Sequence, residues 1–82
     1  MKFYVYMLLA KGKKNLTYVG YTKNIKKRLL LHNTSKGAKF TRGRTWKLIY
    51  KEVLTSKSKA ISREYYIKKN RKVRNIIKNK HI

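Results

Sequence analysis

Aspartate is absent from this chain, and the acidic side chains are Glu52 and Glu64 alone, set against 24 lysines and arginines. That inventory excludes phosphodiester chemistry by two metal ions, which needs several carboxylates to balance two divalent charges. Cysteine is absent too, which removes disulfides, thiolate zinc sites and cysteine nucleophiles together and agrees with a reducing compartment. Histidine is scarce: His32 sits at a helix end and His81 is the penultimate residue, so neither a paired-histidine site nor zinc chemistry has its ligands. Long apolar runs are also lacking. The longest, Phe3 to Ala10, is too short to span a bilayer, and the tyrosine-rich run after Lys2 has no small-residue cleavage site of the signal-peptide kind.

What remains is a folding sequence with an extreme charge. Its 82 residues suit one domain, 1–82, with a thin core, and hydrophobic residues make up 41% of the chain and are spread along it, unlike a disordered basic tail. The net charge of +22 means strong self-repulsion until a polyanion arrives. A nucleic-acid backbone fits that need, since each phosphate neutralised releases condensed counterions. DNA is the expected partner, with RNA not distinguished from it by charge, and no membrane partner is expected because no helix shows the apolar face that surface binding requires.

Phe3 to Ala10 and Leu16 to Thr22 read as strands joined through the polar segment from Lys11 to Asn15. Alternation places Tyr4, Tyr6 and Leu8 on one face of the first strand, and Tyr18 and Gly20 on one face of the second. A register with Tyr6 opposite Tyr18 and Tyr4 opposite Gly20 would set two phenols side by side. Thr22 to Asn24 offers helix caps, after which Ile25, Leu29 and Leu30 recur at helical spacing, with Arg28 and His32 on one face. Thr34 to Arg44 is a basic loop around Phe40. Thr45 to Val53 reads as a third strand with Trp46, Leu48 and Tyr50 on one side and Ile49 and Val53 on the other. Ser56 or Ser58 caps a helix carrying Ala60, Ile61, Glu64 and Tyr65, which Asn70 ends, and Val73, Ile76 and Ile77 mark a last short helix. The core expected from this pattern holds Trp46, Leu48, Ile49, Ala60 and Ile61; Phe40 and Tyr65 are either core or base-stacking, since aromatic faces interleaved with cations suit unpaired strands, and core is the favoured reading. The fold class is α/β (α+β): a three-stranded, mostly antiparallel sheet flanked by helices.

A one-metal site is what the acids still permit: one glutamate, several waters and the substrate phosphate around Mg²⁺, which keeps its waters readily. Tyr4, Val5 and Tyr6 in the first strand, then Tyr18, Val19 and Gly20 in the second, resemble the signature tripeptides of the GIY-YIG endonuclease superfamily. Arg28 follows on the first helix with His32 one turn later, and Glu64 lies on the helix after the third strand, in the family's order. The stretch from Lys36 to Arg44, with Arg63 and Glu64, resembles the small stand-alone bacterial subgroup. Two positions depart: Tyr4 stands where the family name has glycine, and Tyr21 where several relatives carry a lysine, for which Lys23 is near enough to substitute.

The resemblance implies a metal-dependent endonuclease that hydrolyses DNA through a tyrosine-activated water. Its catalytic residues would be Tyr6, Tyr18, Arg28, His32 and Glu64, with Glu64 holding Mg²⁺ (or Mn²⁺). Lys23, Lys36, Lys39, Arg42 and Arg44 would bind the nucleic acid. A bacterial cytoplasm, close to the nucleoid, and a part in DNA repair go with that substrate, and specificity would come from DNA structure, a homodimer or a protein partner. Taken singly, the same residues have plainer readings. Tyr6 and Tyr18 are ordinary strand residues, Arg28 is one more solvated cation, His32 is either a helix-end polar group or a phosphate contact or proton relay, and Glu52 is a local charge partner. The rival function is a nucleic-acid-binding module on the same fold without catalysis.

Overall fold

The computed structural model describes all residues except Met1, Lys11, Lys13, Lys14, Ser35, Gly37, Ala38, Arg42 and Ile82. The chain runs β1 (Phe3–Ala10), β2 (Leu16–Thr22), α1 (Ile25–Asn33), a 3₁₀ turn (Lys39–Thr41), β3 (Trp46–Leu54), α2 (Lys57–Lys69) and α3 (Arg71–Asn79). The strands form one antiparallel sheet in the order β2-β1-β3. The central position of β1 explains its unbroken apolar run, because a strand covered on both faces has no side left for polar residues. Val5 through Leu9 are accordingly buried.

Two cores result. On one face Phe3, Val5, Met7, Leu9, Val19 and Ile49 pack with Ala60 and Ile67 of α2, and Ile77 of α3 joins them. On the other, Tyr6, Leu8, Ala10 and Trp46 pack with Tyr18 and with Ile25 and Leu29 of α1. Side chains cap the helices as their residue types suggest: Asn24 accepts from the Lys27 N–H, Ser56 from Lys59 and Asn70 from Val73. Asn70 both ends α2 and starts α3. At the first hairpin Asn15 takes φ 45°, the left-handed conformation that asparagine tolerates better than most residues.

Three expectations are corrected. Tyr6 pairs with Gly20 and Tyr18 with Leu8, two residues from the register that would have matched the phenols. Regular alternation also fails in β3, where the register with β1 shifts between Met7 and Leu8, leaving an extra residue at Ile49. Such a bulge reverses the facing of everything beyond it. Tyr50 therefore packs beside Ile49 against the α2 core, away from Trp46 and Leu48. Finally, Ile61, Phe40 and Tyr65 are exposed, because α2 turns its Ala60 and Ile67 stripe to the sheet and the 3₁₀ turn lies at the molecule's surface. At the outer edge of β3, the side-chain amide of Asn33 accepts from the Trp46 N–H at 2.6 Å and donates to the Trp46 carbonyl at 3.1 Å, tying the end of α1 to the start of the strand.

Candidate active site

Gly20 makes room for the first phenol. A Cβ at this position would lie 2.6 Å from the Tyr6 hydroxyl oxygen and 2.8 Å from Cζ, so any other residue would collide with the ring that β1 lays across β2. The Tyr18 ring stands beside it, centroids 6.4 Å apart and tilted by 41°. Tyr6 is nearly fully buried and reaches inward to His32, Oη to Nε2 2.9 Å, and His32 Nδ1 lies 2.9 Å from Thr41 Oγ1. The Thr41 carbonyl accepts from the Trp46 indole N–H at 2.9 Å. A side-chain chain thus runs from the sheet through α1 to the 3₁₀ turn.

Electrostatics follow from this burial. Burial pushes the Tyr6 phenol up to about 12, although contact with Arg28 works against the rise. Arg28 is held still more firmly protonated, chiefly by the Tyr6 hydroxyl, with both phenols adding to the effect and burial opposing it. His32 has no exposed surface, and burial first, then the Arg28 charge, lowers its pKa below the ordinary 6.5. It is a neutral imidazole at pH 7. One ring nitrogen then donates and the other accepts, so the proton positions of Tyr6 and Thr41 are linked through the ring. From this place His32 touches Tyr6 and Thr41, with no surface for an arriving phosphate.

The acids are treated in opposite ways. Glu52 takes a two-pronged contact from Arg63, Nε at 2.6 Å and the guanidinium NH2 at 3.0 Å, and accepts from the Tyr50 hydroxyl. Arg63 holds this carboxyl below the usual range in spite of burial, with help from Tyr50. Glu52 is the local partner that its position suggested. Among the described residues Glu64 makes a single ion pair, exposed, with Lys68 at 3.4 Å, one turn along α2, a contact of a kind worth roughly 0.3 to 0.5 kcal/mol. Its carboxylate lines a cleft of about 340 Å³ with Tyr6, Tyr18, Gly20, Tyr21, Thr22 and Arg28. Residues from β1, β2, α1 and α2 meet there, and Glu64 is the single acid among them. Among the described residues no group of three or more histidines and acids exists. A metal at Glu64 would keep most of its water, which suits Mg²⁺ and not zinc.

The expected phosphate-binding cations fall into two places. Lys23 joins Lys26 and Lys51 in a neighbouring cleft of about 330 Å³ with Tyr4, Asn24 and Ile25. Lys36, Lys39 and Arg44 are exposed on the segment around Phe40, and Arg42 lies outside the described residues. Phe40 is 52% exposed, stacks on Tyr18 with centroids 6.4 Å apart and planes within 22°, and carries the Arg44 guanidinium 6.0 Å above its ring. Lys26, Lys51, Gly20 and Thr41 escaped the sequence reading. Gly20 was placed there on the Tyr18 face and in the second tripeptide but not under the Tyr6 ring, and nothing separates Lys26 or Lys51 from the other basic residues until strands are paired.

A model of the GIY-YIG catalytic domain matches residues 2–77, and the chain belongs to this nuclease family, whose members generally use a divalent metal and act on nucleic acid. Its relatives narrow the class. A UPF0213 protein of Staphylococcus haemolyticus is 48% identical over 68 residues, which cover 82% of this chain and 80% of the relative, and one of Clostridium perfringens is 51% identical over 67 residues, covering 80% and 70%. The solution NMR structure of a UPF0213 protein from Bacillus halodurans superposes with a TM-score of 0.53 at 36% identity, covering 92% of this chain and 79% of that one. The sheet of three antiparallel strands with its helices is thus a GIY-YIG fold of the UPF0213 kind. Among the described residues no helix is long and apolar enough to cross a membrane.

Proposed function

We propose that this protein is an endonuclease hydrolysing DNA phosphodiester bonds through a water activated at Tyr18, with structure-dependent or weakly sequence-specific recognition. The observation that carries the reading is the meeting of Tyr6, Tyr18, Arg28 and Glu64 in one cleft, from four separate elements. Tyr18 is the better placed base: it is the less buried phenol, while Tyr6 is held protonated by burial and its hydroxyl is already engaged with His32. Arg28, a permanently charged fork beside both hydroxyls, would meet the phosphate oxygens as negative charge grows on them. Glu64 would hold Mg²⁺ (or Mn²⁺), which supplies charge for the leaving oxygen when bound. His32 fixes the Tyr6 hydroxyl through a neutral ring, and Lys23, Lys36, Lys39, Arg42 and Arg44 would carry the flanking phosphates. A place at the bacterial nucleoid and a part in DNA repair follow from such a substrate.

The test is supercoiled-plasmid cleavage with Mg²⁺ and with EDTA, on the parent protein and on Tyr18→Phe. Loss of general-base assistance is worth ~10² to 10⁴ in rate. The variant loses one hydroxyl and no charge, so DNA affinity should stay within about two-fold. Cleavage at the parental rate removes Tyr18 from the mechanism; binding without any metal-dependent cutting by the parent leaves a non-catalytic DNA-binding module.

A further inference from the structure

A second surface, on the outward side of α2, is aromatic and basic together. Ser62, Tyr65, Tyr66 and Lys69 follow one another at helical spacing, and with Asn70 and Arg71 at the α2 to α3 junction they line a groove of about 480 Å³. Tyr65 is 62% exposed and Tyr66 47%, large values for aromatic rings that a monomer could have buried. Each ring carries a cation over one face: Lys69 Nζ stands 5.5 Å from the Tyr65 centroid and the Arg63 guanidinium 4.9 Å from that of Tyr66. Those contacts orient the rings without covering them. Asn70 Nδ2 donates to the Tyr66 hydroxyl at 3.3 Å, fixing it further.

We infer that this groove is a stacking platform for unpaired nucleobases, so that single-stranded DNA, or the unpaired segment of a junction or flap, is held across α2. Aromatic faces interleaved with cations bind unpaired strands, because every base offers a π-face while the cations follow the phosphates. A paired duplex hides those faces. Charge selects the occupant. No carboxylate lines the groove, since Glu52 is turned to Arg63 and Glu64 to the cleft, so a second copy of this chain, itself at +22, would bring cations against cations. The surface also has a path to the chemistry. Glu64 and Tyr65 are successive residues on adjacent sides of α2, and from Glu64 to Asn70 the helix rises about 9 Å. A strand leaving the cleft need only cross the helix to reach Tyr65. The inference rests on the proposed nuclease reading for that path, and it names the substrate class of the same site.

Binding is measured in EDTA, where cleavage plays no part, by fluorescence anisotropy with oligo(dT) and with a duplex of equal length. Replacing both rings, Tyr65→Leu with Tyr66→Leu, should weaken oligo(dT) binding about ten-fold or more while changing duplex affinity by less than about two-fold. The pair Tyr65→Phe with Tyr66→Phe should bind oligo(dT) like the parent, since it keeps both π-faces. Photo-cross-linking of the parent protein to an oligonucleotide carrying 5-iodouracil needs no variant and should yield adducts at Tyr65 or Tyr66. Equal losses on both DNAs, no loss on oligo(dT), adducts confined to the Phe40 segment, or a groove whose loss weakens only binding to anionic phospholipid vesicles would each overturn the proposal. Failure of the nuclease reading is seen separately: a parent protein that stacks oligo(dT) and never cuts DNA retains the platform and loses the hydrolase.

Discussion

Gly20→Ala should have the opposite sign from an ordinary strand substitution. Glycine within a strand costs roughly 0.5 to 1 kcal/mol relative to alanine, so the exchange would stabilise a position with open space. At Gly20 the new Cβ would sit 2.6 Å from the Tyr6 hydroxyl, while ordinary contact begins near 3.4 Å, so the phenol must retreat by roughly 0.8 Å. It has nowhere easy to go. Tyr6 is 2% exposed, its hydroxyl is bonded to His32, and the Tyr18 ring already lies 3.1 Å from the same Cβ. Overpacking of this kind costs about 1 to 3 kcal/mol. In a domain of this size each kcal/mol lowers the melting temperature by about 4 to 8 °C. Thermal unfolding followed by circular dichroism gives the size of the loss, and repeating the exchange in a Tyr6→Leu background tests its cause. With Cζ and the hydroxyl gone, most of the penalty should vanish as a coupling between the two sites. A Gly20→Ala protein as stable as the parent, or a penalty unchanged in the Tyr6→Leu background, would refute the argument.

The other expectations concern charge. Glu64→Gln should lower plasmid cleavage at every Mg²⁺ concentration while Glu52→Gln leaves the cutting rate nearly intact, and a larger effect at Glu52 would place the metal on the wrong acid. Glu52→Gln should show instead in acid stability: the depressed carboxyl contributes above its unfolded value near 4.5 and loses that contribution as pH falls toward its folded value, so only the parent should show this part of the acid loss in melts. His32 works in the same direction from a higher pH, because its folded pKa lies below 6.5 and the unfolded chain takes up the proton first; stability should fall as pH drops below about 6.5, and His32→Gln should flatten that slope. Replacing Lys39, Arg42 and Arg44 together by alanine should flatten the salt dependence of DNA binding by about 0.9 per lost phosphate contact, whereas Arg28→Ala should reduce cleavage more than affinity. Equal proportional losses in the two variants would make Arg28 a phosphate clamp only.

Side-chain chemistry made part of this legible in advance. The strand at Phe3–Ala10, caps within Thr22 to Asn24 and at Ser56 or Ser58, and the shared face of Arg28 and His32 follow from residue type and spacing, whereas Glu64 is marked out by the family resemblance and the central place of β1 by the structure alone. The hairpin register did not, for a definite reason: sliding β2 by two residues keeps every side chain on its face, so alternation cannot tell Tyr6 opposite Gly20 from Tyr6 opposite Tyr18. Nor does alternation reveal an inserted residue such as Ile49. Ile61, Phe40 and Tyr65 looked like core because apolar residues in a small chain are expected to be buried, yet a three-stranded sheet offers α2 only one side to cover.

The extra residue in β3 also selects a sign of charge. In a regular strand counted from Trp46, Glu52 would face α1 and the phenols, and Lys51 would face α2. With Ile49 inserted, Lys51 stands opposite Tyr6 and Glu52 opposite Val5. The acid is thereby delivered to Arg63 on the far side of the sheet, and the lysine joins Lys23 and Lys26 on the side where a phosphate backbone would lie. A single backbone irregularity, carrying no charge of its own, turns one carboxylate away from the phenols, so that on the proposed reading it would neither repel a phosphate there nor compete with Glu64 for a metal.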